Sequence, residues 1–91
     1  MVTAIVLINA KRGQVQSTAN NLAEIEGISE VYSVGGRFDL VAIIRVPSNE
    51  AMADLVTRQM AGMDSIAHTE TLLAFQSFSK HDLESMFSIG N

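Results

Sequence analysis

The sequence predicts an α+β fold in which two helices cover one face of a four-stranded antiparallel sheet. Three observations carry this prediction. The segments follow one another in the order strand, helix, strand, strand, helix, strand. The strand segments are short runs rich in apolar and β-branched residues, whereas apolar residues recur every three or four residues within the helical segments. Glycine, proline or a helix-capping serine stands at most of the boundaries between segments.

The N-terminal segment, residues 2–27, contains one strand and one helix. Val2–Ala10 is almost continuously apolar and rich in Val and Ile, which is typical of a buried strand. Lys11–Gly13 interrupts it, and residues 14–26 follow with a helical apolar spacing formed by Val15, Ala19, Leu22 and Ala23. Gly27 then supplies the left-handed conformation with which many helices end.

Residues 28–78 contain two strands, a second helix and a fourth strand. Ile28–Val34 and Phe38–Val46 are the predicted second and third strands, and Pro47 ends the third. Ser48 is suited to cap the second helix, whose core face consists of Met52, Leu55, Val56, Met60 and Met63. Ile66–Phe78 is the predicted fourth strand. This order is that of the split βαβ, or ferredoxin-like, motif, in which right-handed crossovers place both helices on one side of the sheet.

Composition indicates one compact domain that spans residues 1–91. Hydrophobic residues make up 47% of the chain and charged residues 18%, which argues against disorder. The apolar residues Leu83, Met86, Phe87 and Ile89 make residues 80–91 a candidate C-terminal tail for oligomerisation. The absence of cysteine excludes disulfides, thiol catalysis and cysteine-based metal sites, and fits a cytoplasmic protein.

Charge and hydropathy also limit the classes of partner. The net charge is −4, and the six Lys and Arg residues are scattered along the chain, so we expect no direct binding of nucleic acid. No apolar run approaches the roughly 18 residues of a membrane span. The first apolar run lacks a preceding basic segment, so we expect no signal peptide and no membrane anchorage.

The predicted sheet is apolar on both faces. One face carries Val2, Ala4, Val6, Ile8, Phe38, Leu40, Ala42, Ile44 and Val46, and the other carries Ile5, Leu7, Val41 and Ile43. A sheet with one solvated face should instead alternate apolar with polar residues. Because two helices cover only one face, we expect the second face to pack on the sheet of a second copy, with two-fold symmetry.

The connection between the second and third strands combines several polar groups. Gly35, Gly36 and Arg37 are suited to a hairpin loop, since glycine adopts positive φ at low cost, and Asp39 can bond the amides of the turn. The same loop can also serve as a receptor for an amino acid. Exposed glycine amides and a guanidinium suit a carboxylate, and Asp39 suits an ammonium group.

The stretch GISEVYSVGGRFDLVAIIRVPSNEAMADLV resembles the effector domain, or RAM domain, of the Lrp/AsnC family of regulators. The family's glycine turn appears here as Gly35-Gly36-Arg37-Phe38-Asp39-Leu40. SIAHTETLLAF is similar to the family's last strand, with threonines at Thr69 and Thr71. The resemblance extends over residues 2–78.

The resemblance implies a dimer of the α/β-barrel type, further assembly into rings of dimers, and a bound amino acid or related metabolite. It implies no cofactor. It places the ligand near the glycine turn, at Gly35, Gly36, Phe38, Asp39 and Leu40, with Thr69 and Thr71 as additional candidates. Arg37 is added to this set because its guanidinium suits a carboxylate, and not because of the resemblance. Family members carry an N-terminal helix-turn-helix domain, whereas the first strand begins here at Val2. We therefore expect a stand-alone effector domain, able to combine with full-length regulators of the family.

Two other functions share the predicted fold. Small dimeric α/β-barrel proteins include monooxygenases and isomerases, which use polar or aromatic groups inside the cavity between sheet and helices. The inward strand positions here are aliphatic, and no nucleophile motif surrounds any serine. His68 and Glu70 share one strand face but lack a third metal ligand. We therefore expect neither catalysis nor a metal site. Besides the effector domain and the enzyme, a third possibility is a subunit that binds a protein partner and no ligand.

Overall fold

Four strands and two helices follow one another along residues 1–78, which are the part of the chain that the computed structural model describes. They are β1 (Val2–Ala10), α1 (Val15–Ala23), β2 (Ile28–Ser33), β3 (Leu40–Val46), α2 (Asn49–Asp54) and β4 (Ile66–Ala74). The helix α2 continues as a π-helical segment over Leu55–Met60. The predicted order is confirmed. The predicted tail, residues 80–91, lies outside the described residues.

The strands form one antiparallel sheet in the order β2-β3-β1-β4. β1 lies in the middle, with Ile8 opposite Leu40 of β3 on one side and opposite Thr69 of β4 on the other. The β2–β3 loop and the turn that follows β1 therefore leave the sheet at the same end, which we call the loop end. At this end the pairing of β1 with β4 shifts register between Asn9 and Ala10.

The core lies between the sheet and the helices. Alternate residues of β1 and β3 are buried there together with helical side chains, and the buried apolar set is Ala4, Val6, Ile8, Leu22, Ile28, Leu40, Ala42, Ile44, Val46, Met52, Leu55 and Met60. Thr18 on α1 is fully buried as well. Its hydroxyl donates to the Gln14 carbonyl at 2.6 Å and shares a hydrogen bond of 2.7 Å with the Ser65 hydroxyl. These bonds tie α1 to the segment before β4.

The side of the sheet away from the helices, called here the open face, is apolar at its centre. Register places Ile5, Leu7, Val41, Ile43 and Leu72 there, and Tyr32 lies opposite Val41. Leu72 is 47% exposed and Tyr32 is 50% exposed. The apolar second face is thus present in the folded chain.

A polar group borders the open face on its β2 side. Arg45 Nη1 lies 3.5 Å from Glu30 Oε1 and donates to the Ser29 hydroxyl at 2.8 Å. The Tyr32 hydroxyl donates to the same Glu30 carboxylate. That hydrogen bond and the negative charge of the carboxylate raise the pKa of Tyr32 above its usual range.

Several element boundaries differ from the predicted ones. The helix α1 ends at Ala23 because residues 24–28 form a turn, in which Gly27 has a φ of 101°. β4 ends at Ala74 rather than at Phe78, since Ala74 pairs with Thr3 and β1 begins only one residue earlier. Within residues 1–78, no helix has the length and apolar character needed to cross a membrane.

Candidate functional site

The β2–β3 loop, residues 34–39, forms the centre of the candidate site. Its two ends are closed by a hydrogen bond from the Val34 amide to the Asp39 carbonyl, at 3.0 Å. The Asp39 amide donates in turn to the Ile8 carbonyl of β1 at 2.9 Å. Residues 35–37 therefore project beyond the last pair of the β1–β3 ladder, which joins Ile8 and Leu40.

The Asp39 carboxylate has a structural role in this loop. Its Oδ2 accepts from the Ala10 amide at 2.9 Å, at the point where β3 no longer offers a backbone carbonyl to β1. The carboxylate thus extends the ladder by one step. The second carboxylate oxygen, Oδ1, makes no hydrogen bond within residues 1–78 and is the atom available to a ligand.

Asn9 holds the loop from the side of β1. Its Nδ2 donates to the Arg37 carbonyl at 2.8 Å, across a sequence separation of 28 residues. Sequence reasoning missed this residue. The pairing of β1 with β3 is the only feature that relates it to the loop, and a lone asparagine near the end of a strand gives no signal by itself.

The amides of Gly35, Gly36 and Arg37 have no acceptor among the described residues. Gly36 has a φ of 121°, which favours glycine, and a Cβ added to either glycine would meet nothing within 4 Å. All three residues are exposed. Consecutive free amides in an exposed turn are donors that suit an anion.

The other side chains of the loop differ in accessibility. Arg37 is exposed, and its Cζ lies 5.9 Å from the centroid of the half-buried Phe38 ring, which is cation–π distance. The Leu40 side chain is fully buried in the core. Any contact of Leu40 with a ligand at the loop therefore involves its backbone.

Thr69 and Thr71 are not brought to the loop within one chain. They lie on β4, opposite Ile8 and Val6 of β1, so β1 separates them from β3. Two strand spacings amount to roughly 10 Å. Their predicted contact with the same ligand is not made by the fold of a single copy.

The turn after β1 is a further neighbour of the loop. Lys11 and Arg12 are exposed and follow Ala10 directly, and Ala10 is the residue that bonds Asp39. The Lys11 amide donates to the Ser65 carbonyl at 2.8 Å, which fixes the turn on its other side. The antiparallel pairing of β1 with β3 predicts that the turn after β1 lies next to the β2–β3 loop.

The remaining surface offers little chemistry. Three concavities of 310, 320 and 220 Å³ are lined by residues outside the loop. Among residues 1–78 no group of three or more His, Cys, Asp or Glu is placed to hold a metal ion. In the same part of the chain Thr18 is the buried polar side chain, and its hydroxyl is already bonded.

Comparison with known proteins gives concordant matches. The family model of the Lrp/AsnC ligand binding domain matches residues 3–83. The HTH-type transcriptional regulator FL11 of Pyrococcus abyssi is 28% identical over 74 residues, which are 81% of this chain and 48% of FL11. The chain thus spans about half the length of the curated relatives that it matches.

Solved structures agree in fold. TTHA0845 from Thermus thermophilus is 40% identical, with a TM-score of 0.82 over 88% of this chain and 100% of that one. The transcriptional regulator NMB0573 from Neisseria meningitidis, solved as a complex with L-Met, has a TM-score of 0.77 over 86% of this chain and 52% of that one. Its identity is only 8%, so this second likeness concerns the fold alone.

Proposed function

The chain belongs to the Lrp/AsnC family through its ligand-binding domain, and from this premise we propose that it senses an amino acid or a related metabolite at the loop of residues 34–39. Its FL11 relatives are transcriptional regulators. The proposed role is therefore regulatory and not enzymatic. The methionine complex of a regulator with the same fold supports the choice of amino acids as the ligand class.

The observation that carries the proposal is the pairing of free amides with a carboxylate in one exposed loop. The amides of Gly35–Arg37 and the guanidinium of Arg37 suit the carboxylate of an amino acid. The free Oδ1 of Asp39 suits its ammonium group. Because Oδ2 is held by the Ala10 amide, the carboxylate is fixed in place before a ligand arrives, which lowers the entropic cost of binding.

A projecting loop covers only one side of a ligand, so the proposed site is completed by another copy of the chain. Ligand pockets normally bury most of the ligand surface, and the loop alone lacks a facing wall. In this proposal Thr69 and Thr71 contribute from a different copy. A ligand between copies shifts the equilibrium between assembly states, because it binds only the assembled state tightly.

The open face provides the first step of such assembly. We place a second copy on it, sheet against sheet, with the apolar centre formed by Ile5, Leu7, Val41, Ile43 and Leu72 between the two sheets. Dimers then join into a ring through their loop ends. In the same proposal, DNA-binding relatives combine with this chain through these surfaces, because about half of the length of such a relative is similar to this chain.

The ligand is tested first by thermal shift with each standard amino acid at millimolar concentration. A ligand at about 100 times its Kd stabilises a fold by roughly 2.7 kcal/mol, which raises the Tm of a domain of this size by several degrees or more. We expect a shift from a few chemically related amino acids. A flat response to all of them would contradict an amino-acid sensor.

Two substitutions distinguish the structural role of Asp39 from its proposed role in ligand binding. Asp39→Asn keeps an oxygen acceptor for the Ala10 amide and removes the charge, whereas Asp39→Ala removes both. We expect Asp39→Asn to stay within about 1 kcal/mol of wild-type stability and to weaken ligand binding about tenfold or more, measured by calorimetry. Unchanged affinity in a folded Asp39→Asn variant would remove Asp39 from the site and leave it a structural residue.

The sheet-to-sheet dimer is tested by a charge on the open face. Ile43→Lys places an unpaired ammonium between the sheets and should raise the dimer Kd on the order of a hundredfold or more. Ala53→Lys adds the same charge at an exposed position of α2 and serves as the control. Light scattering across a dilution series gives the masses. A dimer that survives Ile43→Lys would place the interface elsewhere.

A further inference from the structure

The basic residues of the described chain divide into two groups. Arg45 is paired with Glu30 at 3.5 Å, and Arg58 is paired with Asp54 at 3.3 Å. The other three, Lys11, Arg12 and Arg37, form no ion pair within residues 1–78 and are all exposed. Sequence spacing made these three look scattered, but the fold collects them at the loop end.

Two hydrogen bonds hold the two basic segments together. The Ala10 amide donates to Asp39 Oδ2 at 2.9 Å, and Asn9 Nδ2 donates to the Arg37 carbonyl at 2.8 Å. Lys11 follows Ala10 directly, so the turn that carries Lys11 and Arg12 begins beside the loop that carries Arg37. We call these three side chains the cationic group.

The carboxylates near the cationic group do not neutralise it. Asp39 belongs to the loop, and Asp64 precedes Ser65, whose carbonyl accepts the Lys11 amide. Within residues 1–78 neither of these two carboxylates forms an ion pair with the three cations, and Glu70 lies further along β4, opposite Leu7 of β1. On a chain with a net charge of −4, this local excess of positive charge selects for anions.

We propose that the ligand of the loop is an acidic amino acid or a close analogue with two carboxylates. This inference rests on the proposed function and names its ligand class. The free amides of the loop and Arg37 hold the α-carboxylate, and Asp39 Oδ1 holds the ammonium group. Lys11 and Arg12 hold the second carboxylate. An amino acid with a neutral side chain has no negative charge to place between these two cations.

The test compares isosteric ligand pairs by titration calorimetry on the full chain. L-aspartate is measured against L-asparagine, and L-glutamate against L-glutamine, at low and at high salt. We expect the acidic member of at least one pair to bind about tenfold tighter, with a preference that falls as salt rises. Inorganic phosphate is measured under the same conditions as a probe for unspecific anion binding.

Substitutions show which residues cause the preference for the acidic over the neutral ligand. The double substitution Lys11→Gln and Arg12→Gln should reduce the ratio of acidic to neutral affinity to about twofold or less, because the acidic member loses more affinity than the neutral one. Arg58→Gln removes another exposed arginine, which is paired with Asp54, so it should keep the full ratio. An acidic preference that survives the double substitution would overturn the assignment to Lys11 and Arg12.

The other outcomes are equally decisive. Tighter binding of a neutral amino acid, sensitive to Asp39→Asn, would overturn the acidic ligand class and leave the proposed function standing. Binding of no amino acid would overturn both. Phosphate that binds as tightly as the best amino acid would show a general anion surface and overturn the assignment of an amino acid.

Discussion

Replacing Ile44 by alanine is expected to lower the free energy of unfolding by about 2–5 kcal/mol. Ile44 is fully buried at the centre of β3, opposite Ala4 of β1 and Ile28 of β2, so the lost methyl groups leave a cavity that the sheet cannot close. Each kcal/mol lowers the Tm of a domain of this size by roughly 4–8 °C. Urea unfolding, with an unchanged m-value, gives the loss directly.

Ile43 provides a matched control, because it is the next residue, has the same side chain and faces the opposite side of the sheet. In the monomer at high dilution, Ile43→Ala should lower the free energy of unfolding much less than Ile44→Ala does. Its cost should rise with protein concentration if the open face packs on a second copy, whereas that of Ile44→Ala should not. If both variants lose the same free energy of unfolding at high dilution, Ile43 and Ile44 do not lie on opposite faces of the sheet.

Replacing Gly27 by alanine is expected to cost about 2–4 kcal/mol, as a sum of backbone strain and overpacking. Its φ of 101° is rare for residues with a side chain. An added Cβ would lie 2.9 Å from Leu55 Cδ1 and 2.9 Å from Val46 Cγ1, both in the core. Because branched side chains of the core leave little room to move, we expect a shift of the Tm by more than ten degrees.

Gly35→Ala is the comparison for Gly27→Ala. Gly35 has no positive φ in the structure, and an added Cβ meets nothing within 4 Å. The change should therefore alter stability by no more than about 0.5 kcal/mol. If thermal unfolding shows the two alanine variants to be equally stable, the close approach of Gly27 to Leu55 and Val46 is wrong.

Sequence patterns predicted the elements whose limits are set locally. β1 was predicted with its observed ends because its apolar run is bounded by Lys11. β4 was predicted too long, since its end depends on where β1 begins and not on its own residues. Thr18 was not predicted as a core residue, because a threonine between the apolar positions of α1 is typical of a solvated face.

The candidate site was predictable only in part, for a related reason. The glycines at Gly35 and Gly36 mark the loop in the sequence itself. The bond between Ala10 and Asp39 joins residues 29 positions apart and depends on the register of β1 against β3. The gathering of Lys11 and Arg12 beside Arg37 has the same origin. The ligand contacts of Thr69 and Thr71 stay predictions.

The central place of β1 has a consequence for how the protein folds. Its inner neighbour β3 is supplied by the middle of the chain, but its outer neighbour β4 comes from residues 66–74. During translation, β1 therefore keeps an unpaired edge until β4 has left the ribosome. Such long-range pairing slows folding, and an exposed apolar edge attracts other nascent chains. A ribosome stalled before residue 66 should thus carry a chain that lacks β4, leaves one edge of β1 unpaired and binds chaperones.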